Sequence, residues 1–254
     1  MPILRRQLSE SSSDDGMDMV VHNKTEQDFS YDHMMMIEGK ALSLGNSFTT
    51  KAILIGVLGT LCAMCFVLYP IKLLSNQLSY WSLFATFALV AISMKCSMDT
   101  EIMRKKRWLR AHHILFELLI PLNMLVTAVY WTLLREPVVA SCEGNQVWIL
   151  HSTTIHLAPI IASVLHFAVT DIVVKASHSL TLLPVAFVYL CYNFYVTKTT
   201  GVPVYWFLDW QDHYSLIIGL SLTLGCVLFF CIMSCFTKII RRLRYSKSSK
   251  TKLH

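Results

Sequence analysis

The middle of this 254-residue chain carries very little charge. Asp, Glu, Lys and Arg make up 15% of the chain, against about 25% in an average soluble domain. More than half of these charged residues lie in residues 1–51 and 237–254, which leaves only 18 in the 185 residues from 52 to 236. This distribution excludes a soluble globular enzyme and a disordered chain. It predicts a polytopic membrane protein with two polar tails.

Several motifs of soluble enzymes and metal proteins are also missing. The sequence has no G-x-S-x-G, no Gly-rich phosphate loop and no H-E-x-x-H. Cys142 is the one cysteine in a loop and has no loop partner, so we expect no disulfide framework. Cys62 and Cys65 form a single C-x-x-C inside an apolar run, which is a poor zinc site. We therefore expect neither a metal nor a cofactor.

Six apolar segments fill the middle of the chain. Each is long enough, or nearly so, to cross a hydrocarbon core of about 30 Å as a helix. Helices are expected because backbone groups in lipid must pair within their own segment. The predicted fold class is therefore all-α, a polytopic bundle of six transmembrane helices. The predicted spans are residues 52–74, 79–98, 111–134, 147–174, 179–197 and 214–236.

An even number of spans places both tails on one side of the membrane. Lys and Arg number 18 on that side, and the opposite connections hold only Arg135 and Lys198. The positive-inside rule therefore predicts that both termini are cytosolic. We expect a disordered N-terminal tail over 1–51, the transmembrane domain over 52–236 and a basic tail over 237–254. Because topology explains the basic residues, nucleic acid is not an expected partner.

The last five residues, Lys250 to His254, match the K-x-K-x-x signal that returns membrane proteins to the endoplasmic reticulum. A basic tail also produces this pattern by chance. Since the signal is read in the cytosol, it agrees with the predicted orientation. We therefore predict an integral, multi-pass protein of the endoplasmic reticulum membrane.

Polar side chains inside the spans are the candidates for function, because burying them in a bilayer is costly. Counted at 1.5 Å per residue from the lumenal end of each span, Thr86, His156 and Tyr189 lie about 12–13 Å deep. A hydroxyl, an imidazole and a phenol are therefore expected in one layer. Glu117 and Asp171 lie nearer the cytosolic face, where we expect them to pair with Lys or Arg of adjoining loops.

Thr86 and His156 are a candidate nucleophile and base. A neutral imidazole within hydrogen-bonding reach can take the proton of a hydroxyl that attacks a carbonyl. A site inside the membrane would select lipid esters or amides. However, Thr in a transmembrane helix more often bonds a carbonyl one turn back, and a membrane His often only joins helices. Ser152, Thr153 and Thr154 are competing hydroxyls beside His156.

The connection over residues 198–213 is aromatic and rich in turn residues. One interpretation is an aromatic belt at the membrane interface. The other is a lid or rim over a lipid pocket. Its turn-forming and aromatic residues are Gly201, Pro203, Tyr205, Trp206, Phe207 and Trp210.

Four segments together resemble one family of membrane proteins. They are Trp81-Ser82-Leu83-Phe84-Ala85-Thr86, Pro121-Leu122-Asn123 followed by Tyr130-Trp131, His156-Leu157-Ala158-Pro159, and Tyr189 followed by Gly201 to Leu208. In order and spacing they resemble the androgen-induced protein and androgen-dependent TFPI-regulating protein family, and its fungal-type relatives in particular. The resemblance extends over residues 52–236.

This resemblance implies a six-span hydrolase that cleaves fatty acid esters of hydroxy fatty acids with an intramembrane Thr and His. Carried over, Thr86 would be the nucleophile and His156 the base, with Asn123 and Tyr189 as supporting residues. The expected partners are the lipid bilayer and a membrane lipid substrate.

The chain departs from the family pattern at several positions. The spacing from Trp81 to Thr86 is one residue longer than in animal members. Those members place two histidines three residues apart, whereas His151 and His156 are five apart, so His151 stays a second candidate base and supporting residue. Asn123 and His166 stand where acidic residues are usual in relatives, which implies an altered substrate or lost activity.

Two other functions stay open on the sequence alone. One is a non-enzymatic membrane protein that binds lipid, regulates a partner or acts as a scaffold. The other is a small transporter in which His156, Asn123 and Asn193 line a polar path. Transporters often contain internal repeats, and the two halves of this chain show no clear similarity, which disfavours the transporter.

Overall fold

The computed structural model describes residues 44–98, 106–170, 172 and 174–251. Over these residues the chain is all-α, without strands, and six helical stretches are long and apolar enough to cross a membrane. The predicted six-span helical fold is therefore confirmed. The spans are Ser47–Leu68, Leu78–Met98, Ala111–Ser141, Gln146–Val169, Ala176–Thr200 and His213–Ile240.

Eight α-helices form these spans and their connections. They are α1 (Leu44–Leu68), α2 (Ile71–Asn76), α3 (Leu78–Met98), α4 (Lys106–Val129), α5 (Arg135–Ser141), α6 (Gln146–Val169), α7 (Leu182–Thr200) and α8 (His213–Thr251). A π-helical turn, Tyr130–Leu134, continues α4 into α5. A 3₁₀ turn, Ala176–Thr181, leads into α7.

Several helix ends differ from the predicted span ends. The helix α1 ends at Leu68, because Pro70 has no N–H to continue the ladder and starts the separate helix α2. Lys72 therefore lies outside the first span, as a third basic residue on the side opposite the tails. The helix α1 also begins at Leu44, so residues 44–51 of the predicted disordered tail are helical. The helix α8 continues to Thr251, through most of the predicted basic tail.

The rest of the two predicted tails, residues 1–43 and 252–254, lies outside the described residues, and so does most of the K-x-K-x-x pattern.

Three helices, α3, α4 and α6, form the interior of the bundle. The helix α1 packs against α3 and α6, where Leu58, Leu83 and Ile155 share an apolar cluster. The helix α8 packs on the other side of α4, where Phe116 and Phe230 belong to a second cluster. Large apolar side chains also cover the outside of the bundle, as lipid contact requires.

A row of buried polar side chains lies between α3, α4 and α6. On α6 its members are seven and three residues apart, which keeps them on one helical face. We call this set the polar seam. It consists of Ser82, Thr86, Ser93, His112, Asn123, His156, Ser163 and His166.

Candidate functional site

Thr86 lies in the middle of the polar seam, and its hydroxyl is already engaged. It donates to the carbonyl oxygen of Ser82 at 2.7 Å and accepts from the Asn123 side-chain amide at 2.9 Å. The same Asn123 nitrogen lies 3.2 Å from the carbonyl oxygen of Pro159 and 2.8 Å from the Ser163 hydroxyl. Asn123 therefore joins α3 and α6 through α4 and holds Thr86 in place.

His156 is held in one orientation at the other end of the seam. Its Nδ1 lies 2.7 Å from the carbonyl oxygen of Ser152 and donates to it, which leaves Nε2 as an acceptor. The ring of Tyr130 stacks on the imidazole with centroids 4.0 Å apart and planes 11° apart. Thr127 donates to the His156 carbonyl oxygen at 2.8 Å. An imidazole held in this orientation with an unprotonated Nε2 is suited to accept a proton.

Thr86 and His156 share no hydrogen bond, within the part of the chain that the structure describes. Asn123 reaches Thr86, while Thr127, one turn further along α4, reaches His156. The imidazole of His156 stacks on Tyr130, seven residues beyond Asn123, so the Thr86 hydroxyl lies about two helical turns, about 10 Å, deeper in the bundle than that imidazole. The two side chains therefore occupy different layers rather than the single predicted layer.

His156 lies where two cavities meet. The first is a narrow cavity of about 90 Å³ between α4, α7 and α8 and is lined almost entirely by apolar side chains; we call it the apolar cavity. The second has a volume of about 800 Å³, lies at the end of the bundle opposite the tails and has a more polar wall; we call it the vestibule. Four residues line both spaces: Ser79, Leu134, His156 and Tyr205. Thr86 lines neither of them.

Ser79 is a hydroxyl at this junction that the sequence analysis missed. It is buried in the first turn of α3, and its side chain makes no hydrogen bond to another described residue. In the sequence it resembles Ser82, whose hydroxyl only bonds the carbonyl of its own helix. Nothing in the local pattern separates the two serines, because the difference lies in what α6 and the 201–212 loop bring beside them.

His151, the second candidate base, is placed differently from His156. Its ring packs between Tyr69 and Trp148, with centroid distances of 5.6 and 6.4 Å, and it lines neither cavity. Both ring nitrogens are buried without a hydrogen-bond partner among the described residues. The geometry therefore favours His156 over His151 as the base.

Tyr189 lies in the wall of the apolar cavity and fixes its mouth. Its hydroxyl donates to the carbonyl oxygen of Asn76, the last residue of α2, at 3.1 Å. The hydroxyl of Tyr205 accepts from the Leu78 N–H at 3.0 Å, two residues further along. Burial raises the pKa of Tyr205 above its ordinary value, so this phenol stays neutral and keeps its bond.

The aromatic connection folds over the bundle end instead of lying wholly at the interface. Phe207 and Leu208 are buried and line the apolar cavity, while Trp206 is 60% exposed and donates from its indole N–H to the Leu133 carbonyl oxygen at 3.4 Å. Trp210 donates from its indole N–H to the Asn193 side chain at 2.7 Å, which ties the loop to α7. The buried residues of this loop agree with its interpretation as the rim of a pocket. The exposed Trp206 agrees with the other interpretation, an aromatic belt at the membrane interface.

Among the described side chains, Glu117 pairs with two histidines. The basic side chains of the loop before α4, which are the expected partners, lie outside the described part of the chain, so that pairing stays a prediction. His113 Nε2 lies 3.2 Å from one carboxylate oxygen, and His178 Nδ1 lies 2.6 Å from the other. The backbone N–H of Lys175 donates to the same carboxylate at 2.8 Å. Asp171, the other acid of the prediction, lies outside the described residues.

No protein-family model, curated protein or solved structure matches this chain. The resemblance to the androgen-induced protein family therefore stays a prediction from the sequence.

Proposed function

We propose that this protein is a lipid ester hydrolase of the membrane, with His156 as its general base. The observation that carries the proposal is the position of His156 at the junction of the apolar cavity and the vestibule. Ester hydrolysis of a lipid needs an apolar space for the acyl chain, access for water, and a proton acceptor where they meet. The resemblance to hydrolases of fatty acid esters of hydroxy fatty acids names the same substrate class.

The two cavities divide the substrate between them. The acyl chain lies in the apolar cavity among Leu125, Val126, Val185 and Leu222, and the ester carbonyl lies at the junction. The alcohol part of the ester extends into the vestibule, whose wall contains the polar groups of Gln77, Glu143 and Asn145. A substrate that is apolar at one end and more polar at the other matches this division.

His156 serves twice in the reaction. Its Nε2 first accepts the proton of an attacking hydroxyl, which forms a bond to the ester carbonyl carbon. The bond to the alcohol oxygen breaks, and the alcohol leaves with the proton from His156. Water from the vestibule then attacks the acyl-enzyme, gives its proton to His156 and releases the acid, and the hydroxyl takes that proton back.

Two hydroxyls compete for the role of nucleophile. The family resemblance indicates Thr86, which would have to exchange the Ser82 carbonyl for His156 Nε2 and move toward the junction. Ser79 lines both cavities, as His156 does, and its hydroxyl has no hydrogen bond to exchange among the described residues. The geometry favours Ser79, and Thr86 with Asn123 then stabilises the helices around it.

Kinetics of the full-length chain in lipid nanodiscs test the base. We expect wild type to hydrolyse long-chain fluorogenic esters faster than short-chain ones. His156→Ala should lower kcat/KM about 10²- to 10⁴-fold, the contribution of a general base. His151→Ala is the matched control, since it removes a histidine from the same helix outside both cavities. Equal rates for wild type and both variants would refute the assignment.

A second pair of variants separates the nucleophiles. Loss of hydrolysis in Ser79→Ala with retention in Thr86→Val identifies Ser79. Valine keeps the shape of Thr86 without its hydroxyl, so the reverse result identifies Thr86 and supports the family resemblance. Retention in both variants would place the nucleophile elsewhere.

A lipid-binding protein without catalysis is the second candidate function, and the apolar cavity is the observation that favours it. It predicts that the purified wild type holds a fatty ester, detectable by mass spectrometry, and does not cleave it. Gly219 lines the cavity, so Gly219→Leu should lower the amount of fatty ester that the purified protein holds.

The membrane we propose is that of the endoplasmic reticulum, on the K-x-K-x-x pattern at the C-terminus. With cytosolic termini, the vestibule would open to the lumen. Replacing Lys250 and Lys252 by Ser should move the protein to later membranes of the secretory route. Unchanged localisation by fluorescence microscopy would remove the support of this pattern.

A further inference from the structure

A second cluster of side chains lies at the other end of the bundle. His113 and Glu117 are four residues apart on α4, so both point from one helical face. His178 comes from the 3₁₀ turn before α7 and meets them there. Counted along α4, Glu117 is about 20 Å from Tyr130, which stacks on His156, so this cluster is separate from the proposed ester site.

The three side chains converge on one point. One ligand atom from each, an imidazole nitrogen from either histidine and a carboxylate oxygen from Glu117, lies within 4.8 Å of the other two. The two imidazole rings stand nearly perpendicular at 79°, with centroids 6.1 Å apart. The Lys175 N–H donates to Oε1 of Glu117 at 2.8 Å and orients the carboxylate, as groups outside a metal's ligand sphere commonly do.

Because Glu117 is buried, an ionised carboxylate at this position needs a cation close to it. Its side chain is 2% exposed, while His178 is 30% exposed and leaves a path from outside. An ionised carboxylate inside a membrane span is costly unless a cation compensates it. Two neutral imidazoles and one carboxylate are a common ligand set for zinc, with a fourth position open to water.

We propose that His113, Glu117 and His178 bind a divalent transition metal of the zinc type. Ligands around tetrahedral zinc, bound at about 2.0–2.2 Å, are separated by about 3.3 Å. His113 Nε2 lies 3.2 Å from Oε1 of Glu117, which meets this spacing. His178 Nδ1 lies 2.6 Å from the other oxygen, Oε2, so this pair must separate by roughly 0.7 Å as the carboxylate turns toward the ion. The ion ties the third span to the beginning of the fifth.

Zinc binding by the full-length protein in detergent tests the proposal. The protein is stripped with a chelator, supplied with one equivalent of zinc chloride and passed through gel filtration. We expect wild type to retain about one zinc per chain by elemental mass spectrometry, since the cluster offers one complete ligand set. Its Tm should rise on addition of zinc and fall again with the chelator.

Variants separate metal binding from an ion pair that only joins helices. His178→Ala, at the exposed edge, should weaken zinc binding by more than about 100-fold and abolish the Tm response. Glu117→Gln keeps an oxygen for the Lys175 N–H and should have the same effect, which serves if His178→Ala folds poorly. His213→Ala removes a histidine from the start of α8 and should bind zinc as wild type does. Absence of retained zinc in wild type, or full retention in both cluster variants, would overturn the proposal.

Discussion

The two faces of α4 differ in polarity and in what they contact. Toward α3 and α6, Asn123 and its neighbours in the polar seam are buried and bond to one another. Toward α7 and α8, Leu122, Leu125 and Val126 line an open apolar cavity. The polar side chains of the seam hydrogen-bond between helices, so only those that also line a cavity can contact a substrate. His156 meets that condition and Thr86 does not.

Asn123→Leu should break the polar seam and cause the largest loss of stability. It removes the contacts of one amide with Thr86, Pro159 and Ser163 and adds volume to a packed interior. We expect a loss of about 2–3 kcal/mol in the free energy of unfolding, measured by SDS titration in mixed micelles. Thr60→Leu is the control, because that exposed hydroxyl bonds only the Gly56 carbonyl of its own helix. Equal losses in the two variants would mean that the seam has no special role.

Gly219→Leu should fill part of the apolar cavity. A Cβ at this position would lie 2.9 Å from a methyl carbon of Leu190, so α7 and α8 approach closely here. We expect a loss of about 1–3 kcal/mol in the free energy of unfolding. We also expect the KM for long-chain esters to rise above its wild-type value by more than the KM for short-chain esters. Gly56→Leu has open space around it and should leave both quantities near wild type. An unchanged KM for long chains in Gly219→Leu would remove the acyl chain from this cavity.

Tyr205→Phe should loosen the rim where the two faces meet. It removes the hydroxyl that accepts from Leu78 and should cost about 1 kcal/mol at neutral pH. Because burial raises the pKa of Tyr205 in the folded protein, its contribution is complete below the ordinary tyrosine pKa of about 10 and is lost as the pH rises above that value. Thermal melts from pH 8 to 11 should therefore show wild type approaching the variant at high pH. A constant difference across this range would contradict the assignment.

Asp212→Ala should have the smallest effect of the four changes, since it lies outside both faces. The Asp212 carboxylate accepts from the Tyr214 N–H at 2.9 Å and caps the beginning of α8. We expect a loss of about 0.5–1 kcal/mol and unchanged ester hydrolysis. Asp212→Asn keeps a capping oxygen and should unfold like wild type in the same thermal melts. A larger loss in Asp212→Asn than in Asp212→Ala would exclude the cap.

The six spans could be predicted because the bilayer imposes length and apolarity on every segment that crosses it. Helix ends were less predictable where packing or a single residue decides them. Pro70 ends α1 early, whereas α4 continues through the π-helical turn to Ser141 beyond the predicted end at 134. These ends change which residues count as membrane-spanning, as Lys72 illustrates.

His156 could be selected from the sequence as a candidate, but the geometry around it could not be predicted. His156 stood out as a strongly polar residue in an apolar span, and the structure places it at the cavity junction. Depth counted from the helix starts put Thr86 beside it, because that count assumes that α3 and α6 begin at one height. The extension of α4 into α5 carries the 142–145 turn outward, so α6 begins further from the bundle centre. His113, Glu117 and His178 were missed as a group because His178 comes from a separate turn.

Labelling with a fluorophosphonate probe, followed by mass spectrometric mapping of the modified residue, tests the central claim most directly. Our account predicts a single modified hydroxyl at the cavity junction, Ser79, in wild type and in His151→Ala, and its loss in His156→Ala. Labelling of His156→Ala at the wild-type rate, or modification of a residue outside both cavities, would contradict it.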